Sequence, residues 1–264
     1  MKLESLNSNP REQQIKACLI EFLRLKQKIF DNTSIINEFS VDKHNRRADL
    51  VLVDQTQFTA FEIKSDADRL TRLHGQVETY KQYFDKVILV VGPKYVDEVL
   101  KSTPADIGVW TYYKSTFKIL RQGRKETRLP KDSYIGLMHV SELRQIVPKE
   151  ESTTETKYRS QLENLARKLS RHELRESAID FIKKRYAETT KHFWTTVGSA
   201  AVTPESLTKL SAVSLEQPDT LNDRNSSKLW DEWEHHVRFE PDDRHLAQWA
   251  REAGNMPFGA ITEP

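Results

Sequence analysis

The chain has 264 residues, of which 37% are hydrophobic and 30% charged, with 8 Gly, 10 Pro and a formal net charge of +2. That balance excludes a collagen-like or wholly disordered chain, and the longest apolar run, Val87 to Val91, is far short of the roughly 20 residues of a membrane span. Cys18 is the single cysteine, so neither an intramolecular disulfide nor a thiolate metal cage is available, and a reducing, cytoplasmic setting is expected. The N-terminal segment Met1 to Ser8 lacks the apolar core of a secretory signal. Charge is uneven: residues 1–150 carry 25 Lys and Arg against 20 Asp and Glu, and the remainder 16 against 19. This is too mild a bias to mark a dedicated nucleic-acid binder.

The first helix starts at Asn9-Pro10, with Glu12 three residues after the cap. Its apolar stripe is Ile15, Leu19, Phe22 and Leu23, with Lys and Arg expected on the other face. Three strand-like runs follow, Ser34–Val41, Arg47–Asp54 and Phe58–Ser65. A second helix is predicted over Thr71–Phe84, although Gly75 inside it costs about 1 kcal/mol relative to Ala. Val87–Val91, closed by Gly92-Pro93, has the continuous apolar character of a buried strand. A short helix over Lys94–Leu100 and a strand pair, Ile107–Tyr113 and Phe117–Arg121, complete the sheet, and residues 122–133 read as a basic loop.

Glu150–Lys157 lacks apolar periodicity and marks a boundary. Residues 1–150 then form the main domain, 151–192 a helical extension and 193–264 a polar, partly helical region. In the extension, Leu162, Leu165 and Leu169 mark one helix. Ser170 with Glu173 caps another that reaches about Tyr186. Two amphipathic candidates near the C-terminus carry Trp230, Trp233 and Val237, and Leu246, Trp249 and Ala253. They close a local core or offer a docking face for a protein partner or a second copy of the chain.

The informative stretch runs from Arg47 to Lys64. With a two-residue turn, or a four-residue loop that sets Val53 opposite Phe58, Asp49 falls opposite Glu62. A three-residue loop would offset them by one place. Gln-Thr is a poor two-residue turn, which favours the longer loop. Glu62 and Lys64 then share a face, with Phe61 and Ile63 on the other, and the two carboxylates lie about 5 Å apart. Like charges so placed repel, and a hard divalent cation relieves them. Such an ion would polarise a phosphoryl oxygen and lower the pKa of a water, while Lys64 orients the nucleophile or stabilises charge on phosphorus.

Helix, three strands, helix, strand, with an acid in strand two and Glu62-Ile-Lys64 closing strand three, resembles the PD-(D/E)XK nuclease superfamily. The likeness extends through Glu62-Ile-Lys-Ser-Asp, Arg69, Arg72-Leu73, Gln76 and Tyr80 to an uncharacterised bacterial branch of it. It covers about residues 10–120 well and 160–190 loosely, and departs in having Ala48 where the motif has Pro. The resemblance implies a restriction-endonuclease-like αβββαβ core with a central mixed sheet flanked by helices. It makes Asp49, Glu62 and the Ile63 carbonyl the holders of Mg2+ or Mn2+, Glu38 an accessory metal acid, Lys64 the catalytic lysine and Gln76 its support. Arg46 and Arg47, between strands one and two, are placed to meet phosphate, and with Arg72 and Tyr80 they are the expected substrate contacts.

Each residue has a plainer account. Glu155-Thr-Lys157 repeats the Glu-x-Lys pattern in a polar linker. Tyr80 suits core packing, Asp66 and Asp68 suit pairing with Arg69 and Arg72, His44 suits a solvated turn, and His235, His236 and His245 suit a helix surface. The expectation is a metal-dependent nuclease acting on DNA rather than RNA, in phage defence or DNA repair. The alternatives are a nuclease-fold module that binds nucleic acid or protein without cutting, and a subunit of a larger defence or repair complex.

Overall fold

A computed structural model of the chain describes residues 12–29, 32–41, 46–126, 128–148 and 158–210. The Asn9-Pro10 cap, His44, the 150–157 linker and the Trp- and His-bearing C-terminal segments lie outside the described residues.

Six β-rich runs pair in chain order into one mixed sheet, β1 (Ser34–Val41), β2 (Arg46–Val53), β3 (Phe58–Lys64), β4 (Lys86–Val91), β5 (Gly108–Tyr113) and β6 (Thr116–Arg121). β1, β2 and β3 are antiparallel, β3, β4 and β5 parallel, and β6 antiparallel to β5. The β2–β3 connection is the four-residue loop. Val53 pairs with Phe58, while Asp54 closes the turn by accepting from the Thr56 and Gln57 amides.

Parallel neighbours require crossovers, which α2 (Leu73–Tyr83) and α3 (Val96–Ser102) supply. Val77, Tyr80 and Val99 of these helices share a core with Val51, Ala60 and Leu89 on one face of the sheet. On the other face, α1 (Glu12–Leu25) lays Ile15, Leu19, Ile20 and Leu23 against Leu50, Phe61, Ile63 and Val90. Gly75 has a steric reason: a Cβ there would lie 3.1 Å from an Arg46 guanidinium nitrogen, so its absence lets Arg46 rest on α2.

The segment after the sheet departs from expectation. Residues 122–133 are not wholly loop, since α4 (Lys131–Leu137) begins inside them, and α5 (Val140–Ile146) follows. With α6 (Arg159–Ala166) and the start of α7 (Arg171–Val197) they build a third core around Tyr134, Leu143, Leu162 and Leu174. Ser170 caps α7, its hydroxyl accepting from the Glu173 amide while the Glu173 carboxylate accepts from the Ser170 amide. That helix does not stop near Tyr186; its 27 residues span about 40 Å.

The last turns of α7 bury Thr189, Thr190, Phe193 and Val197. Thr190 Oγ1 accepts from the Ile35 amide at 3.1 Å and donates to the Ile35 carbonyl at 3.3 Å, satisfying edge strand β1 where no further strand among the described residues pairs with it. Threonines on the buried face blur the apolar periodicity, which is why the sequence pattern fades there. α7 therefore crosses position 192, and residues as far as Leu210 join the α1 side of the core. No helix among the described residues is long and apolar enough to cross a membrane.

Candidate functional site

Three strands and helix α1 bring acids together at the end of the sheet where β2 and β3 begin to part. The β2–β3 ladder stops at Leu50–Phe61. At the next position Asp49 Oδ2 accepts from the Ile63 amide at 2.6 Å, so a side chain replaces a strand-to-strand bond. The Gly92 amide beyond β4 donates to the Lys64 carbonyl; by alternation the Ile63 amide and carbonyl both point to the β2 side, into the gap that Asp49 occupies.

Glu62, 1% exposed, faces α2. Lys64 Nζ and Gln76 Nε2 both donate to its Oε1. The Tyr80 hydroxyl lies 2.9 Å from Glu62 Oε2 and 2.7 Å from the Arg47 carbonyl. One hydroxyl proton serves two acceptors there. Gln76 Oε1 is buried and accepts no hydrogen bond among the described residues.

The electrostatics follow from this packing. Burial pushes the Asp49 carboxyl well above the usual aspartate range, and the charges of Glu62 and Glu12 push it further, against the Ile63 amide and Lys64. Burial likewise raises Glu62, partly offset by Lys64, Tyr80 and Gln76. For Lys64 burial works downward, but the adjoining Glu62 and the charges of Asp49 and Asp68 outweigh it, and its pKa rises. Burial and then Glu62 raise the Tyr80 phenol, which keeps it a hydrogen-bond donor at working pH.

A second bundle lies beside the first. Glu38 and Asp49 face each other between the Asn37–Leu50 and Phe39–Ala48 pairs of β1 and β2. Glu38 has φ +62°, the left-handed region that costs a residue with a Cβ about 1–2 kcal/mol. The twist also breaks strand alternation: Ile36, Phe39 and Val41 all enter the core on the α2 side. Carboxylate oxygens of Glu12, Glu38 and Asp49 come within 4.8 Å of one another. Lys16 Nζ, fully buried, reaches Glu38 Oε1 at 2.6 Å, Asn37 Oδ1 at 2.9 Å and Glu12 Oε1 at 3.3 Å. Arg47 Nε takes Glu38 Oε2 at 2.6 Å.

Of the residues singled out by sequence, Asp49, Glu62, Lys64, Gln76 and Tyr80 therefore assemble, with Ile63 supplying backbone atoms. Tyr80, expected among the substrate contacts, is wholly buried and braces Glu62 instead. Arg46 is half-buried on α2, Arg47 exposed on Glu38, and Arg72 exposed at the start of α2. Asp66 and Asp68 do not serve Arg69 and Arg72 in the way expected: Asp66 accepts from the Lys94 amide, and Asp68 from the Ser65 amide and hydroxyl.

Two residues of the site escaped the sequence reading. Glu12 was assigned to a cap, and Lys16 to the solvent face of α1. Lys16 in fact sits four residues before Ile20 and seven before Leu23, on the apolar stripe itself, and Glu12 lies one turn earlier. A lysine inside an apolar stripe was the available signal.

A protein of unknown function from Silicibacter pomeroyi is similar in structure over 50% of this chain and 84% of its own, with 19% identity and a TM-score of 0.37. Protein cII of Enterobacteria phage P4 is 42% identical over 188 residues, covering 69% of this chain and 70% of that protein. The sequence profile of the family described as Bacteriophage P4 protein cII matches residues 5–211, so the chain belongs to that family.

Proposed function

We propose that the chain is a divalent-metal-dependent nuclease with a restriction-endonuclease-like core, hydrolysing phosphodiester bonds of DNA in preference to RNA. The observation that supports this most is the pairing of two buried acids on adjacent strands, Asp49 and Glu62. Both are raised in pKa, and the Lys64 ammonium is held on the second. Two raised and mutually repelling carboxyls suit a hard dication, and the buried Gln76 Oε1, without a partner among the described residues, suits a bound water next to Glu62. Asp49, Glu62 and the Ile63 carbonyl would hold Mg2+ or Mn2+, which supplies Lewis acidity toward a phosphoryl oxygen and a water nucleophile.

The chain's own groups do the rest. Tyr80 and Gln76 fix the Glu62 carboxylate, and the Ile63 amide fixes Asp49, so neither acid must reorganise when charge develops. Lys64 stands where an ammonium can orient water and stabilise the extra negative charge on phosphorus. Arg46, Arg47 and Arg72 offer guanidinium groups to flanking phosphates. Overall the water oxygen bonds to phosphorus, a P–O ester bond breaks, and the water's proton ends on the departing alkoxide.

The test is digestion of linear, circular and single-stranded DNA and of RNA, with Mg2+, with Mn2+ and with chelator. Metal-dependent cleavage of DNA that falls about 100-fold or more in Lys64→Ala supports the proposal. Intact substrates throughout, or cleavage undiminished in Lys64→Ala, overturn it.

A further inference from the structure

We infer that Lys16 is a built-in cation: its ammonium fills the corner between Glu12 and Glu38, so that the site takes one divalent ion, on Asp49 and Glu62, instead of two. This rests on the metal-dependent reading above and states the stoichiometry of that same site.

Glu12, Glu38 and Asp49 bring carboxylate oxygens within 4.8 Å, a spacing at which a second ion could be held. The corner is already taken. Lys16 has three ammonium protons and three oxygens around it, on Glu38, Asn37 and Glu12, so its donors are satisfied. It is fully buried between Ile15 and Ala17, each 1% exposed, and cannot swing into water without lifting α1 from the sheet. Arg47 occupies the other oxygen of Glu38, leaving both oxygens of that carboxylate on protein cations. The left-handed backbone at Glu38 fits this account, since the chain holds a strained conformation where the side chain meets Lys16. Lys16 is a positioning residue, since its contacts are to protein oxygens and it acts through Glu38 and Glu12.

The experiment counts Mn2+ on the metal-free full-length chain by calorimetry and follows the same samples by electron paramagnetic resonance. Wild type should bind one ion per chain with the spectrum of an isolated Mn2+. Lys16→Met should bind two, with the exchange-coupled spectrum of a close pair. Two ions on wild type, or one on a folded Lys16→Met, overturns the inference and leaves the nuclease reading standing. No ion on wild type overturns that reading and the inference with it. Should Lys16→Met fail to fold by circular dichroism, Lys16→Gln decides, because it keeps a polar end for Asn37 and Glu38 without the charge. Two ions are expected on it, and one ion on the folded Lys16→Gln overturns the inference.

Discussion

Asp49 on β2 accepts a hydrogen bond from the Ile63 amide of β3 at 2.6 Å, in the place where the ladder between the two strands ends. The carboxylate thereby lies between diverging strands, buried, with Glu62 and Glu12 close enough to raise its pKa. It is held by geometry and disfavoured by charge. That conflict yields a stability test.

An aspartate raised in the folded state stabilises the fold fully below its unfolded pKa of about 4, and that contribution is lost as pH rises through the folded value. Asn keeps a carbonyl oxygen for the Ile63 amide and carries no charge. Metal-free Asp49→Asn should therefore melt above wild type at neutral and alkaline pH, with the gap closing toward pH 4. Each kcal/mol of the difference reads as about 2–4 °C. Thermal melts in chelator across that pH range check it, and a gap that does not depend on pH would contradict the assignment.

Removing the ammonium next to Glu62 should separate chemistry from folding. Lys64→Ala and Glu62→Gln are expected to lower the cleavage rate about 10²–10³-fold, the scale of a lost electrostatic stabiliser. Single-turnover kinetics alongside circular dichroism would register this.

Tyr80 bridges the Arg47 carbonyl and Glu62. Tyr80→Phe leaves buried oxygens short of a donor, for a loss of about 1–3 kcal/mol in stability. Misplaced Glu62 should weaken Mn2+ binding about 10–100-fold, as for other residues that orient a metal ligand. Denaturant melts and calorimetry measure the two effects separately.

Away from the site, Asp85 is 1% exposed, accepts from the Phe58 amide at 3.0 Å and meets Arg175 of α7 at 2.6 Å. Asp85→Ala takes the acceptor from the buried Phe58 amide and the closest partner from Arg175, which keeps the Thr56 carbonyl and Glu176, and a loss of about 1–3 kcal/mol is expected. Urea unfolding would show it, with the Arg175→Ala and double variants giving the coupling between them.

The register of β2 on β3 was legible because it is a local matter. Side chains alternate along β2 and β3, and the loop at Asp54–Gln57 sets Val53 against Phe58, so counting residues fixes the faces on which Glu62, Lys64, Phe61 and Ile63 lie. The cap at Ser170 was legible for the same reason, since its partner is three residues away.

Helix α7 was legible only at its start. Its far end is held by Thr190 on the edge of β1, 155 residues away in sequence, a contact that leaves no apolar period to read.

What the sequence alone determined is the order of the sheet's strands and helices and the presence of two acids and an amine around one hairpin. What only the tertiary structure decided is the divergence of β2 from β3 at Asp49, the left-handed turn at Glu38, and the burial of Lys16 and the placing of Glu12 from a helix that packs across the sheet. Backbone periodicity acts over a few residues and survives in the sequence. The charge that a buried carboxylate meets depends on which distant element is packed against it, and folding sets that.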